Sequence, residues 1–206
     1  WKLIDFPNGT PQGVINGFAR LWVNGIWPYK TKKELFINRI NSIIYAASKI
    51  TRSDGSLEEA FPYEGSYCVT ALIAYDTLVT IDLLTPEIST VQINKWLNII
   101  ERWIYFLIKS DEEHALISNH LATAAAALFR WEHIAEGRNS QKLARQKGEI
   151  LLERILFFQS KKEGWYKEYE GADGGYQSLC TYYLADLLEN LKKYTSPKNK
   201  NEILIK

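Results

Sequence analysis

The sequence contains no methionine, two cysteines, three histidines and six prolines in 206 residues. Two cysteines cannot supply a disulfide framework, so a small stapled scaffold is excluded. No Cys-x-x-Cys pair and no Asp-Asp-x-x-Asp run occurs. The usual sequence forms of a structural zinc site and of an acidic metal-binding cluster are therefore missing. Charge of one sign is lacking too: 25 Lys and Arg face 24 Asp and Glu, a net charge of +1. Such a chain does not grip a phosphate backbone by charge, and no nucleic-acid partner is expected. The most apolar run, Leu121 to Phe129, is about half of what spans a bilayer, so no membrane span is expected. No signal peptide is visible. A chain without methionine that opens on Trp1 reads as part of a larger protein, and its compartment stays open.

What is present is ordinary in bulk. Apolar residues make up 46% and charged residues 24%, which suits a folded chain rather than a disordered one. The length fits one domain over residues 1–206. Aromatics are abundant at 13%, with 7 Trp and 12 Tyr. That surplus points to a surface that stacks on something flat.

Residues 1–30 carry Pro7, Gly9, Pro11, Gly13, Gly17, Gly25 and Pro28, and read as a mostly irregular lead-in with at most a turn of helix at Phe18 to Trp22. From Thr31 the pattern becomes helical. Leu35, Ile37, Ile40, Ile43, Ile44, Ala47 and Ile50 recur at spacings of three and four, with Thr31 as the expected N-cap and Glu34 three residues on. The same reasoning predicts helices at about 32–50, 66–84, 89–109, 118 to before Gly137, 140–159 and 175–194. No run alternates with period two. The fold class is all-α, with residues 195–206 as a frayed tail.

The connections between these helices are unequal. Short turns lie at Pro86 and Gly137, whereas long polar-aromatic loops precede the helices that start at 66, 118 and 175. Those starts are 52 and 57 residues apart, the length of one helical hairpin. Alternating direction then places all three long loops on one face, at helix N-termini that favour anions. The helices after the long loops are the apolar ones, such as Leu121-Ala-Thr-Ala-Ala-Ala-Ala-Leu128. They are expected to form an inner layer inside a more polar outer one. This describes an α/α toroid of about three hairpins.

The loops also resemble a known family. Arg52-Ser-Asp-Gly-Ser with Glu64-Gly-Ser-Tyr67-Cys68, then Ser118-Asn119-His120, then Glu163-Gly-Trp165-Tyr166-Lys-Glu168-Tyr169-Glu-Gly-Ala-Asp173-Gly-Gly-Tyr176 are similar to the α/α-toroid domains of heparinase II/III-like and alginate-lyase-like proteins. The likeness covers roughly residues 50–190. It implies half of such a ring, and a polysaccharide containing uronic acid as the ligand. It also implies β-elimination, in which a carboxylate is neutralised, a base removes the α-proton and an acid protonates the leaving oxygen. By this resemblance Asn119 is the neutraliser, His120 the base, and Tyr67 or Tyr176 the acid.

Around them, Arg52 can hold a carboxylate in bidentate fashion. Tyr63, Trp165 and Tyr169 offer flat faces to sugar rings, and Glu64, Glu168 and Asp173 complete the polar lining. Each candidate has a structural alternative: capping for Asn119 and Asp173, packing for the tyrosines, an ion pair within its own loop for Arg52. Glu64 with Asp173 would suit a glycoside hydrolase instead. A non-catalytic glycan-binding or oligomerising scaffold is the third reading, because half a ring leaves an inner face for a second copy or for the rest of the chain to cover. Cys68 and Cys180 read as buried free thiols at different depths, and His114 and His133 as surface or capping residues. No metal or cofactor is expected.

Overall fold

The computed structural model describes residues 2–3, 6–27, 30–59 and 64–194. Seven α-helices dominate them: α1 (Val14–Val23), α2 (Lys33–Lys49), α3 (Tyr67–Leu84), α4 (Thr90–Lys109), α5 (Ser118–Ile134), α6 (Ser140–Phe157) and α7 (Gly174–Tyr194). Two short antiparallel pairs accompany them. β1 (Lys2–Leu3) lies beside β2 (Phe6–Pro7), and β3 (Leu57–Glu58) beside β4 (Gly65–Ser66). The fold is all-α.

The helices sort into two layers. α1 packs on α3, α3 on α5, and α5 on α7, while α2 packs on α4 and α4 on α6. Residues from the C-terminal parts of α1, α3, α5 and α7 line one cavity of about 260 Å³, so these four run the same way. α3 and α5 are buried nearly all round, as their uniformly apolar sequences require. α4 shows one apolar face instead, with Trp96, Leu97, Ile100, Trp103, Ile104 and Leu107 at helical spacing. In α6 the glycine at 148 faces the Phe129 ring, against which a Cβ would sit at 3.0 Å.

The lead-in corrects the reading of residues 1–30. Thr10–Gly13 forms a short 3-10 turn that runs directly into α1. Ile15, Phe18, Ala19 and Trp22 put an apolar face on this helix, and Ile15 and Ala19 are fully buried. The breakers fall where they do no harm. Pro11 sits in the first turn, Gly17 has open space around it, and Gly25 ends the helix with φ 69°. The expected N-cap at Thr31 is also corrected. α2 begins at Lys33, and the Thr31 hydroxyl instead accepts from Trp27 Nε1 at 3.1 Å.

Tryptophan turns out to be mainly structural. Trp96, Trp103 and Trp131 are among the largest fully buried side chains. Each indole N–H is paired: with Asn41 Oδ1 at 3.0 Å, Thr51 Oγ1 at 2.8 Å and Ser140 Oγ at 3.1 Å. Trp22 stacks on Phe36 with ring centroids 4.3 Å apart. The aromatic surplus therefore builds the core first.

α3 is the helical stretch most like a membrane span. Tyr67–Glu87 is long and apolar enough by composition, and most of it is buried inside the fold. The first long loop is pinned by a tight turn. Gly55 has φ 96°, and a Cβ there would collide with the carbonyl oxygen of Arg102 on α4. Gly55→Ala is expected to cost about 3 kcal/mol, from backbone strain plus the clash. Urea unfolding monitored by helical circular dichroism measures this, and an unchanged midpoint would refute it.

Candidate functional site

The N-terminal ends of α3, α5 and α7 meet the second and third long loops. Those two loops pair with each other. Ser118 N–H donates to the Lys167 carbonyl at 3.2 Å, and Tyr169 N–H donates to the Leu116 carbonyl at 2.9 Å. Isolated bridges join Ile117 to Glu168 and Glu168 to Gly171. This pairing carries Glu168 to the start of α5. Its carboxylate accepts from Asn119 N–H at 2.9 Å and from Asn119 Nδ2 at 2.9 Å. Both residues are buried. An anion does sit at this helix N-terminus, and it is the protein's own. Burial raises the Glu168 carboxyl above its ordinary value, while the Asn119 bonds oppose that rise.

His120 follows one residue later and lies in a different environment. Its Nδ1 contacts Glu112 Oε2 at 2.6 Å, and its side chain keeps 19% exposure. Cys68, in the first turn of α3, is near enough to act on the same ring electrostatically. Burial by itself would lower the His120 pKa. Cys68 and Glu112 outweigh it and raise the value to about 10. The ring is therefore an imidazolium at neutral pH, a cation and a proton donor rather than the base expected of it. Glu112 is the complement. Its burial works against charge, but bonds from His120, the His114 ring and His114 N–H hold its carboxyl at about 2.

An aromatic pair lies beside these groups. Tyr169 and Tyr176 are exposed, with ring centroids 6.4 Å apart. Tyr169 has φ 55°, the one positive φ at a non-glycine residue among those described. A bulky side chain held there is strained, and the loop pairing at Leu116 holds it in place. Desolvation raises the Tyr169 hydroxyl pKa, and the nearby Tyr176, Glu112, Glu168 and Cys68 add to the rise.

The remaining sequence candidates divide. Tyr67 is buried, not a partner to Tyr176 at the rim. Its hydroxyl has no hydrogen-bond partner among the described residues, and its pKa is pushed up by burial and by Asp111 and Glu112. Asp173 caps α7 by accepting Tyr176 N–H at 2.9 Å. Arg52 pairs with Glu58 at 3.1 Å within its own hairpin. Glu64 is half-buried, and its charge reaches His114. Trp165 is half-buried, and its carbonyl accepts from Ser160 N–H at 2.8 Å. Tyr63 lies outside the described residues.

Thus Asn119, His120, Glu168, Tyr169, Asp173 and Tyr176 come to one place. One member was missed, Glu112. The run Asp111-Glu-Glu-His114 before α5 was a signal for it. Cys68 was read as a buried thiol, whereas it is half-buried; Cys180 is fully buried. No group of three or more potential metal ligands gathers among the described residues. No protein-family model, curated protein or solved structure matches this chain.

Proposed function

We propose that the chain is an arc of an α/α toroid that handles a uronic-acid-containing polysaccharide at the N-terminal ends of α3, α5 and α7, with lyase-type β-elimination as its reaction. One observation carries this reading: His120, its Nδ1 2.6 Å from Glu112 Oε2, stands at the start of α5, where Leu116 and Ser118 pair with the loop that carries the exposed Tyr169. Aromatic faces suit sugar rings, and a fixed cation beside them suits the carboxylate of a uronate. His120 takes the neutralising role first assigned to Asn119, whose amide is committed to Glu168. Neutralising that carboxylate acidifies the neighbouring C–H, and the rim tyrosine hydroxyls are the groups left for proton traffic. The hydrolase pair of Glu64 and Asp173 gains no support, because Asp173 is the α7 cap.

The test is elimination on a panel of uronic-acid polysaccharides, followed by the ultraviolet band of the unsaturated product. His120→Ala is expected to lower the rate by about a hundredfold or more. Substrate binding is expected to weaken as pH rises through about 10, where the ring loses its proton. Absence of the band with every substrate would overturn the lyase reading.

A further inference from the structure

α6 is an outer-layer helix whose inner face is committed to α5: Ala144, Gly148, Leu151 and Ile155 are buried there. A surface helix of this kind carries polar residues on its other face. Here Leu143, Ile150 and Phe157 stand out from that face, 45%, 59% and 75% exposed. They are spaced by seven residues. Such spacing makes one stripe along the helix, about 21 Å long at about 1.5 Å per residue. Among the described residues no large apolar side chain is more exposed than Phe157. Phe158 meets it edge to face, with ring centroids 4.9 Å apart.

The same segment concentrates charge. Residues 140–162 hold six cations, Lys142, Arg145, Lys147, Arg154, Lys161 and Lys162, against Glu149 and Glu153. That is a net +4 in a chain whose total is +1. Arg145 is shared between Glu149 and Glu132, and Arg154 pairs with Asp111. Lys162 lies 3.6 Å from Glu163, with its side chain 91% exposed. Lys142, Lys147 and Lys161 form no ion pair among the described residues.

Whatever covers this face has to be anionic and has to take in apolar groups. A second copy docked through the same face would set one basic helix against another. A nucleic acid or an acidic glycan answers the lysines, but Leu143 and Ile150 offer it no flat ring to stack on. An anionic bilayer surface supplies both parts, headgroup charge for the cations and the acyl boundary for the stripe.

We propose that the outward face of α6 docks the protein on an anionic phospholipid surface. Leu143, Ile150 and Phe157 enter the boundary between headgroups and acyl chains, and Lys142, Lys147, Lys161 and Lys162 meet the headgroups. The helix lies in the plane of the surface and does not cross it. This does not depend on the reaction proposed above.

The test is co-sedimentation with large unilamellar vesicles, either pure phosphatidylcholine or phosphatidylcholine carrying about 30% phosphatidylserine. Binding to the mixed vesicles is expected to be about tenfold tighter than to the pure ones, and to weaken about tenfold as salt rises from about 0.1 M to about 0.5 M. Phe157→Ser is expected to lower binding to the mixed vesicles about tenfold. The ring is largely exposed, so the helical circular dichroism and the urea midpoint should stay where they are. Lys161→Gln combined with Lys162→Gln should weaken binding to the mixed vesicles about tenfold and leave binding to pure phosphatidylcholine unchanged. Equal binding to the two vesicles, binding to neither, or binding that Phe157→Ser leaves unaltered would overturn the proposal. So would a dimer in analytical ultracentrifugation that Phe157→Ser dissociates, since the face would then belong to a second copy.

Discussion

Asp76→Asn is expected to stabilise the protein at pH 8 and to leave it nearly unchanged at pH 4. Asp76 lies between α1 and α3, 8% exposed, where its Oδ1 accepts from Asn16 Nδ2 at 2.8 Å. Burial lifts its carboxyl from 3.8 to about 7, against the opposing pull of Asn16 and Arg20. A carboxyl raised in the folded state keeps its proton after the unfolded chain has lost it. Its contribution to stability is therefore full below about pH 4 and falls away as pH climbs to about 7. The integrated loss is about 4 kcal/mol. An asparagine keeps the shape and can still accept from Asn16, but it never ionises. The measurement is urea unfolding of both proteins at pH 4, 6 and 8. The difference between them should grow across that range, and parallel curves would refute the assignment.

The second large effect concerns Arg130. Its side chain is 6% exposed, and it joins three helices of one layer, reaching Asp82 on α3 at 2.8 Å and Asp186 on α7 at 2.6 Å. Arg130→Ala removes the shared cation and leaves Asp186 without it and Asp82 with Lys193 alone, at 3.5 Å. The expected cost is about 3 kcal/mol, mostly from the poorly compensated carboxylates rather than from lost attraction. Arg130→Met combined with Asp82→Leu and Asp186→Leu should recover most of it, since apolar groups of like size replace a buried ion network with little loss. If the triple variant unfolds as readily as Arg130→Ala, packing and not charge is the cause.

Much of this architecture is written in local sequence. The helices from α2 to α7 follow from spacings of three and four, because their tertiary role is one buried stripe or full burial, and both leave a periodic trace. α1 escaped because five glycines and prolines crowd residues 7–17. Its short apolar face counts only once α3 is there to receive it. The site is legible in part for a related reason. Asn119 and His120 stand at a helix start that can be placed from sequence, and Tyr176 at another. What brings Glu168 and Tyr169 to them is a pairing between residues 116–118 and 167–169, and no periodicity records such a pairing. Glu112 was overlooked for the same cause. A carboxylate in a polar loop looks like any other until the fold sets a histidine 2.6 Å away. Arg52 shows the converse, a residue suited to a ligand that meets its partner a few positions along its own hairpin.

The alanine-rich run of α5 has a consequence in time. Small side chains let α3, α6 and α7 all pack against that helix, so its amides can open only when the surrounding layers separate. In hydrogen exchange, Leu121 through Phe129 should be among the last amides to take up deuterium. His120 stands in the first turn just before this stretch, while Tyr169 belongs to a loop tied by a few bonds to residues 116–119 and should exchange sooner. The two parts of the site should therefore differ in their exchange times, the Leu121–Phe129 stretch late and the Tyr169 loop early.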